Sequence, residues 1–209
     1  MFSLQTIFGK GDKFYGLLEA SADAARQSTR ALIVMLNAPV SARSLDEFRL
    51  ARRREKDLFA QIGQALVDTF VTAIEREDIE ALSGALYKIP KTVEKFAERY
   101  VLFADRLADV DYASRAMLLE KATDVIVQMT SQLRRGFELD KMRDLNEHMQ
   151  SIESEADRLI LDLYRDLFDN ERDPGRLLLR KDLFELLEKA IDRCRDAGNV
   201  IYQIVLKNS

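Results

Sequence analysis

Residues 186–192, LLEKAID, are one of three copies of a Leu-Leu-Glu-x-x-x-Asp phrase in this chain of 209 residues. The other copies are residues 17–23 (LLEASAD) and residues 118–124 (LLEKATD). Residues four apart on an α-helix share a face, so each copy places two carboxylates side by side. Like charges at this spacing repel each other by a few tenths of a kcal/mol, so each pair needs a compensating partner, for which a metal cation bound by oxygen ligands is one candidate.

The apolar periodicity around these phrases predicts an all-α protein of six long helices. Glycine (8) and proline (3) are scarce, which leaves few turns, and no segment has a convincing strand pattern. Asp12 is the predicted N-cap of the first helix, Ser44 with Glu47 signals the start of the second, and Pro90 predicts a kink in the third. The predicted helices cover approximately residues 13–36, 44–71, 75–108, 112–137, 139–168 and 176–206.

The second half of the chain repeats the first. Residues 12–36 align with 111–137, residues 54–57 with 154–157, and residues 76–79 with 180–183. A duplicated three-helix unit is the simplest explanation, because three amphipathic helices can bury one another's apolar stripes. We therefore expect two tandem antiparallel three-helix bundles, residues 1–108 and 109–209, packed together as one domain.

Acidic residues fall on all three predicted helices of the second half, at levels that the repeat alignment places together. They are Glu120, Asp124, Glu153, Asp157, Glu188, Asp192 and Asp196. If these carboxylates converge on one bundle face, their oxygen ligands suit a divalent or iron-type metal ion, whose identity the sequence leaves open. The alternative interpretation is an ordinary solvated helix face, neutralised by nearby Lys121, Lys189 and Arg193.

Glu19 and Asp23 form the matching pair in the first half, but the third helix breaks the pattern. The acids of the sixth helix align there with Gly84, Lys88 and Thr92. We expect Lys88 to face Glu19 and Asp23 and to replace a bound cation with an internal ion pair. The second half is therefore predicted to be the better metal site, and the first half to be weak or metal-free.

Composition and motifs exclude several classes of function. The net charge of −4 argues against a nucleic-acid binder, and the longest apolar run, residues 31–36, is too short for a membrane span. The only histidine, His148, has no glutamate three residues before it, as a ferritin-type di-iron site requires. Cys194 is the only cysteine, so an internal disulfide is excluded and a reducing cytoplasm is expected. Nucleotide-binding loops and nucleophile–base sets are absent from the sequence, which indicates a protein that is not an enzyme.

Several segments together carry a family resemblance that spans nearly the whole chain. They are the opening Met-Phe-Ser-Leu with Asp12-Lys-Phe, the block Glu55-x-Asp57, residues 70–79, residues 153–157, and the C-terminal residues 186–208. The chain resembles the PhoU-like family of phosphate-transport regulators, and in particular its Pit accessory branch. The C-terminal segment is the most specific part of this resemblance.

The resemblance implies a non-enzymatic regulator or accessory protein of inorganic phosphate transport, with a fold of two three-helix bundles. Its implied partner is a Pit-type phosphate transporter, on which it would dock from the cytoplasm, peripheral to the inner membrane and without inserting into it. Proteins of this family hold metal clusters on E/D-x-x-x-D motifs, and the resemblance implies that the matching pairs here are metal ligands. These pairs are Glu188–Asp192, Asp192–Asp196, Glu120–Asp124 and Glu19–Asp23. The third helix departs from the family pattern, because residues 86–91 read LYKIPK where the family has acids.

Two other functions stay open at this point. One is a metal-free helical adaptor protein unrelated to transport, and the other is a metal-dependent hydrolase that uses the clustered carboxylates. The sequence also leaves open whether the protein forms a homo-oligomer and whether it activates or inhibits its transporter.

Overall fold

The computed structural model describes residues 4–107 and 109–209, and within these residues it contains helices and no β-strand. The six α-helices are α1 (Leu4–Asn37), α2 (Asp46–Asp68), α3 (Arg76–Leu102), α4 (Ala113–Arg135), α5 (Leu139–Asn170) and α6 (Pro174–Asn208). Short 3₁₀ turns occur at Val40–Ala42 and Ala104–Arg106. The all-α fold class predicted from the sequence is confirmed.

The start of α1 differs most from the sequence prediction. The helix begins at Leu4, so Asp12 lies inside it and the prediction of an N-cap at Asp12 is wrong. Gly9 and Gly11 are included in the helix, although each glycine costs roughly 1 kcal/mol relative to alanine. A cost of this size disfavours a helix without preventing one.

Two other helix ends also differ from the prediction. Ser44 lies just outside α2, where its hydroxyl accepts a hydrogen bond from the backbone N–H of Asp46 at 3.1 Å. The α3 helix ends at Leu102, and its predicted end, Ala108, lies outside the described residues. Within α3 the helix continues through the buried Pro90.

The six helices form two three-helix units that pack side by side. The helices α1, α2 and α3 contact one another, and α4, α5 and α6 do the same. Two long helix pairs, α1 with α4 and α3 with α6, join the units. Both pairs are antiparallel, as the contacts at their two ends show. In the first pair Glu19 contacts Arg134 and Arg30 contacts Glu120. In the second pair Arg99 contacts Asp182 and Lys207 contacts Asp78. The predicted architecture of two tandem bundles is confirmed, while a domain boundary at residue 108 stays a prediction.

One continuous apolar core holds the two units together. An aromatic cluster marks the place where α3, α4 and α6 meet, and it consists of Phe96, Tyr100, Tyr112 and Phe184. The Tyr112 ring, at the start of α4, lies 4.5 Å from the Phe184 ring of α6 and 5.6 Å from the Phe96 ring of α3, measured between centroids. This shared packing fixes the rotation of each helix and therefore decides which polar side chains meet on the outside.

Candidate functional site

The first two copies of the Leu-Leu-Glu-x-x-x-Asp phrase lie along the antiparallel pair of α1 and α4, and carboxylates of each copy contact arginines of the other helix. These carboxylates form ion pairs with arginines from both helices, and we call this group the α1–α4 seam. Its members are Glu19, Asp23, Arg26, Arg30, Glu120, Asp124 and Arg134. The leucines of the two phrases point inward, since Leu18, Leu118 and Leu119 are buried in the core.

Arginines bridge the carboxylates across the α1–α4 seam. The Nε of Arg30 lies 3.0 Å from the Oε1 of Glu120, and its Nη2 lies 3.7 Å from the Oδ1 of Asp124. The Nη1 of Arg26 also lies 3.7 Å from Asp124 Oδ1, and its Nη2 contacts the Asp23 carboxylate on the same helix. Three carboxylates in this part of the seam are therefore bridged by two guanidinium groups, which neutralise them in part.

At the other end of this seam, the Nη2 of Arg134 lies 3.0 Å from the Oε2 of Glu19. The backbone of α1 at Gly16 lies close to the Arg134 guanidinium, because a Cβ atom on Gly16 would lie 3.1 Å from its Nη2. A glycine at this position therefore leaves room for the arginine to lie against α1.

The third copy of the phrase lies on the side of α6 that faces α5, where a second group of carboxylates and arginines meets. This α5–α6 seam consists of Glu153, Asp157, Glu188, Asp192, Arg193, Arg195 and Asp196. Arg195 lies at its centre: its Nη1 contacts the Glu153 carboxylate and lies 3.3 Å from Asp192 Oδ1. Its Nη2 lies 3.5 Å from Asp196 Oδ1, and Arg193 contacts the other oxygen of Asp196 at 2.9 Å.

The α5–α6 seam has more carboxylates than these arginines neutralise. The pKa of Asp192 is raised by burial and by the neighbouring charges of Asp196, Glu153 and Asp157, while Arg195 lowers it in part. The pKa of Glu188 is likewise raised, mainly by burial and then by repulsion from Asp192 and Asp157. These shifts mean that the seam retains an uncompensated negative field around the guanidinium of Arg195.

The contacts divide the predicted carboxylates into two sets. Glu120 and Asp124 were expected to converge with the acids of α5 and α6, but their ion pairs are with Arg30 and Arg26 of α1. Their place is therefore in the α1–α4 seam. The remaining five predicted residues, on α5 and α6, lie together in the α5–α6 seam.

The predicted role of Lys88 is corrected by the structure. It is exposed on α3, and the ion pairs of Glu19 and Asp23 are made by Arg134 and Arg26 instead. The sequence does contain a local signal for two of the arginines, since Arg26 follows Asp23 by three residues and Arg195 follows Asp192 by three. The pairing of Arg30 with Glu120 joins residues 90 positions apart and had no local signal.

The residues present do not fit an added metal ion while the arginines hold these positions. Among the described residues, no group of three or more histidine, cysteine, aspartate or glutamate side chains is arranged to hold a metal ion. In each seam, carboxylate oxygens that could serve as ligands are hydrogen-bonded to or paired with guanidinium nitrogens. Metal ligation by the predicted residues therefore stays a prediction that requires the arginines to move.

A buried carboxyl group that the sequence did not single out as a site lies inside the first unit. Glu55 of α2 is fully buried, and neither of its carboxyl oxygens has a well-formed hydrogen bond to the described residues. Burial raises the pKa of Glu55 to about 7, although Arg52, the nearby Ser21 hydroxyl and Arg54 lower it in part. This group can therefore change its protonation state near neutral pH.

The only histidine and the only cysteine of the sequence are not members of these groups. His148 is exposed on α5, whereas Cys194 is completely buried on α6. Burial raises the pKa of the Cys194 thiol, which keeps it protonated and unreactive. None of the helices in the described part of the chain contains a stretch apolar and long enough to cross a membrane.

Comparisons with known proteins support the resemblance stated from the sequence. No family model matches the chain. It is 21% identical to the "Putative pit accessory protein" of Rhizobium meliloti (strain 1021), over 94% of both chains. It is 26% identical to the UPF0111 protein YkaA of Bacillus subtilis (strain 168), over 67% of this chain and 68% of that protein.

Solved structures give the same result for the fold. A crystal structure of a PhoU-like protein from Shewanella oneidensis MR-1 superposes with a TM-score of 0.79 at 18% identity, covering 93% of this chain and 99% of that one. A second structure from that organism, described as a "putative PhoU-like phosphate regulatory protein", gives a TM-score of 0.77 at 18% identity. The chain therefore has the PhoU-like fold, and the predicted resemblance is confirmed at that level.

Proposed function

We propose that this protein is a non-enzymatic regulator or accessory protein of inorganic phosphate transport. One observation carries the proposal: the similarity to the "Putative pit accessory protein" extends over 94% of both chains. The fold agrees with this over a similar extent, since 93% of the chain superposes on a PhoU-like structure. Similarity from end to end favours a shared role more than a shared motif would, because it includes the surfaces as well as the core.

The side chains of the described residues favour a role without catalysis. Nucleophile–base pairs of the usual kinds need a histidine or a reactive thiol close to a partner. Here His148 is exposed on the outer face of α5, and Cys194 is enclosed in the core. Several carboxylates that could act as acids or bases, among them Glu120 and Glu153, are paired with arginines in the two seams.

The partner we propose is the cytoplasmic surface of a phosphate transporter, and the end of α2 is a surface that suits it. Val67, Phe70 and Val71 form the α2 apolar tip, with side chains that are 78%, 98% and 55% exposed. Exposed apolar groups at one place are typical of interaction surfaces. The exposed acidic residues Glu77 and Glu80 follow in the first turns of α3, whereas Glu75 is paired with Lys207. Short cytoplasmic loops of membrane proteins are rich in lysine and arginine, so an apolar tip beside acids complements them.

Phosphate uptake in cells that lack this protein provides the main test. We expect the uptake rate to change when the gene is deleted and to be restored by the wild-type chain. An uptake rate that is the same with and without the protein would overturn the proposal.

Docking can be tested separately with two matched variants. Phe70→Ser removes the most exposed aromatic ring of the α2 apolar tip, and Phe168→Ser removes a ring of α5 that is also exposed. We expect Phe70→Ser to lose co-purification with the transporter and Phe168→Ser to retain it. Equal co-purification of the two variants would show that the α2 apolar tip is not the contact surface.

A further inference from the structure

We propose that arginine side chains of this chain take the place of metal cations in both carboxylate seams, so that the folded bundle needs no bound metal. This inference goes beyond the proposed function and does not rest on it. A guanidinium group is planar, carries five N–H donors and stays charged at all physiological pH values. It can therefore bridge several carboxylates at once, as a metal ion does, without being removable by a chelator.

The α5–α6 seam gives the clearest example. A single guanidinium, that of Arg195, contacts Glu153 on α5 and both Asp192 and Asp196 on α6. Carboxylates from two helices thus converge on one cation, which is the arrangement that a metal ion would otherwise provide. Arg195 is itself part of α6, so this cation is covalently attached and does not depend on metal supply.

The α1–α4 seam repeats the arrangement between the two units. Arg30 lies between Glu120 and Asp124, and Arg26 lies between Asp124 and Asp23. Both arginines belong to α1, and two of the three carboxylates belong to α4. The internal cations therefore also bridge the two halves of the molecule.

Carboxylates from two helices lie close together in the α5–α6 seam, and their mutual repulsion explains why this seam requires a cation. The negative charges of Asp196, Glu153 and Asp157 repel the Asp192 carboxylate and disfavour its charged form. Removal of Arg195 would leave several like charges facing one another between α5 and α6. A divalent cation could then bind in its place, because oxygen ligands from two helices would be free of their guanidinium partner.

The test compares thermal unfolding with a chelator and with added Mn²⁺. We expect the melting temperature of the wild-type protein to be the same in EDTA and in Mn²⁺, and the protein purified without a chelator to hold far less than one metal ion per chain by elemental analysis. Arg195→Met keeps much of the side-chain volume and removes the charge. We expect this variant to melt at a lower temperature in EDTA, and Mn²⁺ to raise that temperature by at least about 3 °C.

Two further variants make the outcome decisive. Arg165→Met on α5 removes an exposed arginine that pairs with Asp162, and it should show no response to Mn²⁺. Arg30→Met tests the α1–α4 seam in the same way, in case the Arg195 variant does not fold. The inference is overturned if the wild-type protein holds a stoichiometric metal ion or loses stability in EDTA. It is also overturned if neither Arg195→Met nor Arg30→Met responds to Mn²⁺ more than Arg165→Met does.

Discussion

Arg30 of α1 donates a hydrogen bond through its Nε to the Oε1 of Glu120 on α4, at 3.0 Å and across 90 positions of sequence. This contact connects the two three-helix units on the outside of the molecule. The side chains are 52% and 32% exposed, so water and salt screen the interaction. Its main effect is therefore on which charges meet at the seam, and its direct contribution to stability is small.

A double-mutant cycle on this pair tests that conclusion. We expect Arg30→Gln and Glu120→Gln to show a coupling free energy below about 1 kcal/mol in urea unfolding, as exposed ion pairs do. The coupling should fall further at high salt concentration. A coupling of several kcal/mol that persists in high salt would show that the pair is shielded from solvent, contrary to its exposure.

The buried carboxyl of Glu55 predicts a pH dependence of stability. Its pKa in the folded protein is about 7, above the ordinary value of 4.5, so folding favours the protonated form. The stability associated with this proton is fully present below the unfolded pKa and is lost as the pH rises from about 4.5 through 7. The difference between the two pKa values corresponds to about 3 kcal/mol of unfolding free energy.

Glu55→Gln removes this titration and keeps the shape of the side chain. We expect the variant to be more stable than the wild type at pH 8 and to lose most of that advantage at pH 5, measured by urea unfolding. Glu80→Gln, at an exposed position of α3, serves as the control and should follow the wild type at both pH values. If Glu55→Gln and the wild type differ in unfolding free energy by the same amount at pH 5 and at pH 8, the pKa of Glu55 is not raised.

Arg52 is a buried arginine, and its replacement should be costly. Its Nε lies 3.2 Å from the Oε2 of Glu94, its Nη2 donates to the Tyr87 hydroxyl at 2.9 Å, and its guanidinium lies over the Tyr87 ring. We expect Arg52→Met to lower the unfolding free energy by about 2–4 kcal/mol, because Glu94 loses its counter-charge.

Arg52→Lys keeps the charge but not the planar stacking on Tyr87, so it should restore only part of the stability. Arg49→Met, one helical turn earlier and exposed, should change the unfolding free energy by no more than about 0.5 kcal/mol. Full stability of Arg52→Lys in chemical unfolding would mean that the charge alone matters at this position.

Cys194 should react only when the protein unfolds. Its side chain is completely buried, and burial raises the pKa of its thiol, so little thiolate is present at neutral pH. We expect iodoacetamide to leave the native protein unmodified and to label one thiol per chain in denaturant, as mass spectrometry would detect. Rapid labelling without denaturant would place Cys194 at the surface or in a segment that opens readily.

The helices could be predicted because their signal is local. Leu82, Leu86, Ile89 and Val93 recur on one face of α3, and all of them are buried. The start of α1 could not be predicted in this way, since Gly9 and Gly11 disfavour a helix that nevertheless includes them. Helix ends depend on a balance of small terms, and tertiary contacts can shift that balance.

The sequence alone determined which side of its own helix each carboxylate occupies, because a spacing of four residues fixes a common face. Only the tertiary structure decided what each face meets. Packing of the shared core sets the rotation and offset of neighbouring helices. It turned Glu120 of α4 toward Arg30 of α1, and it turned Arg195 of α6 toward Glu153 of α5. Those choices depend on contacts between residues far apart in the chain, which periodicity within one helix does not contain.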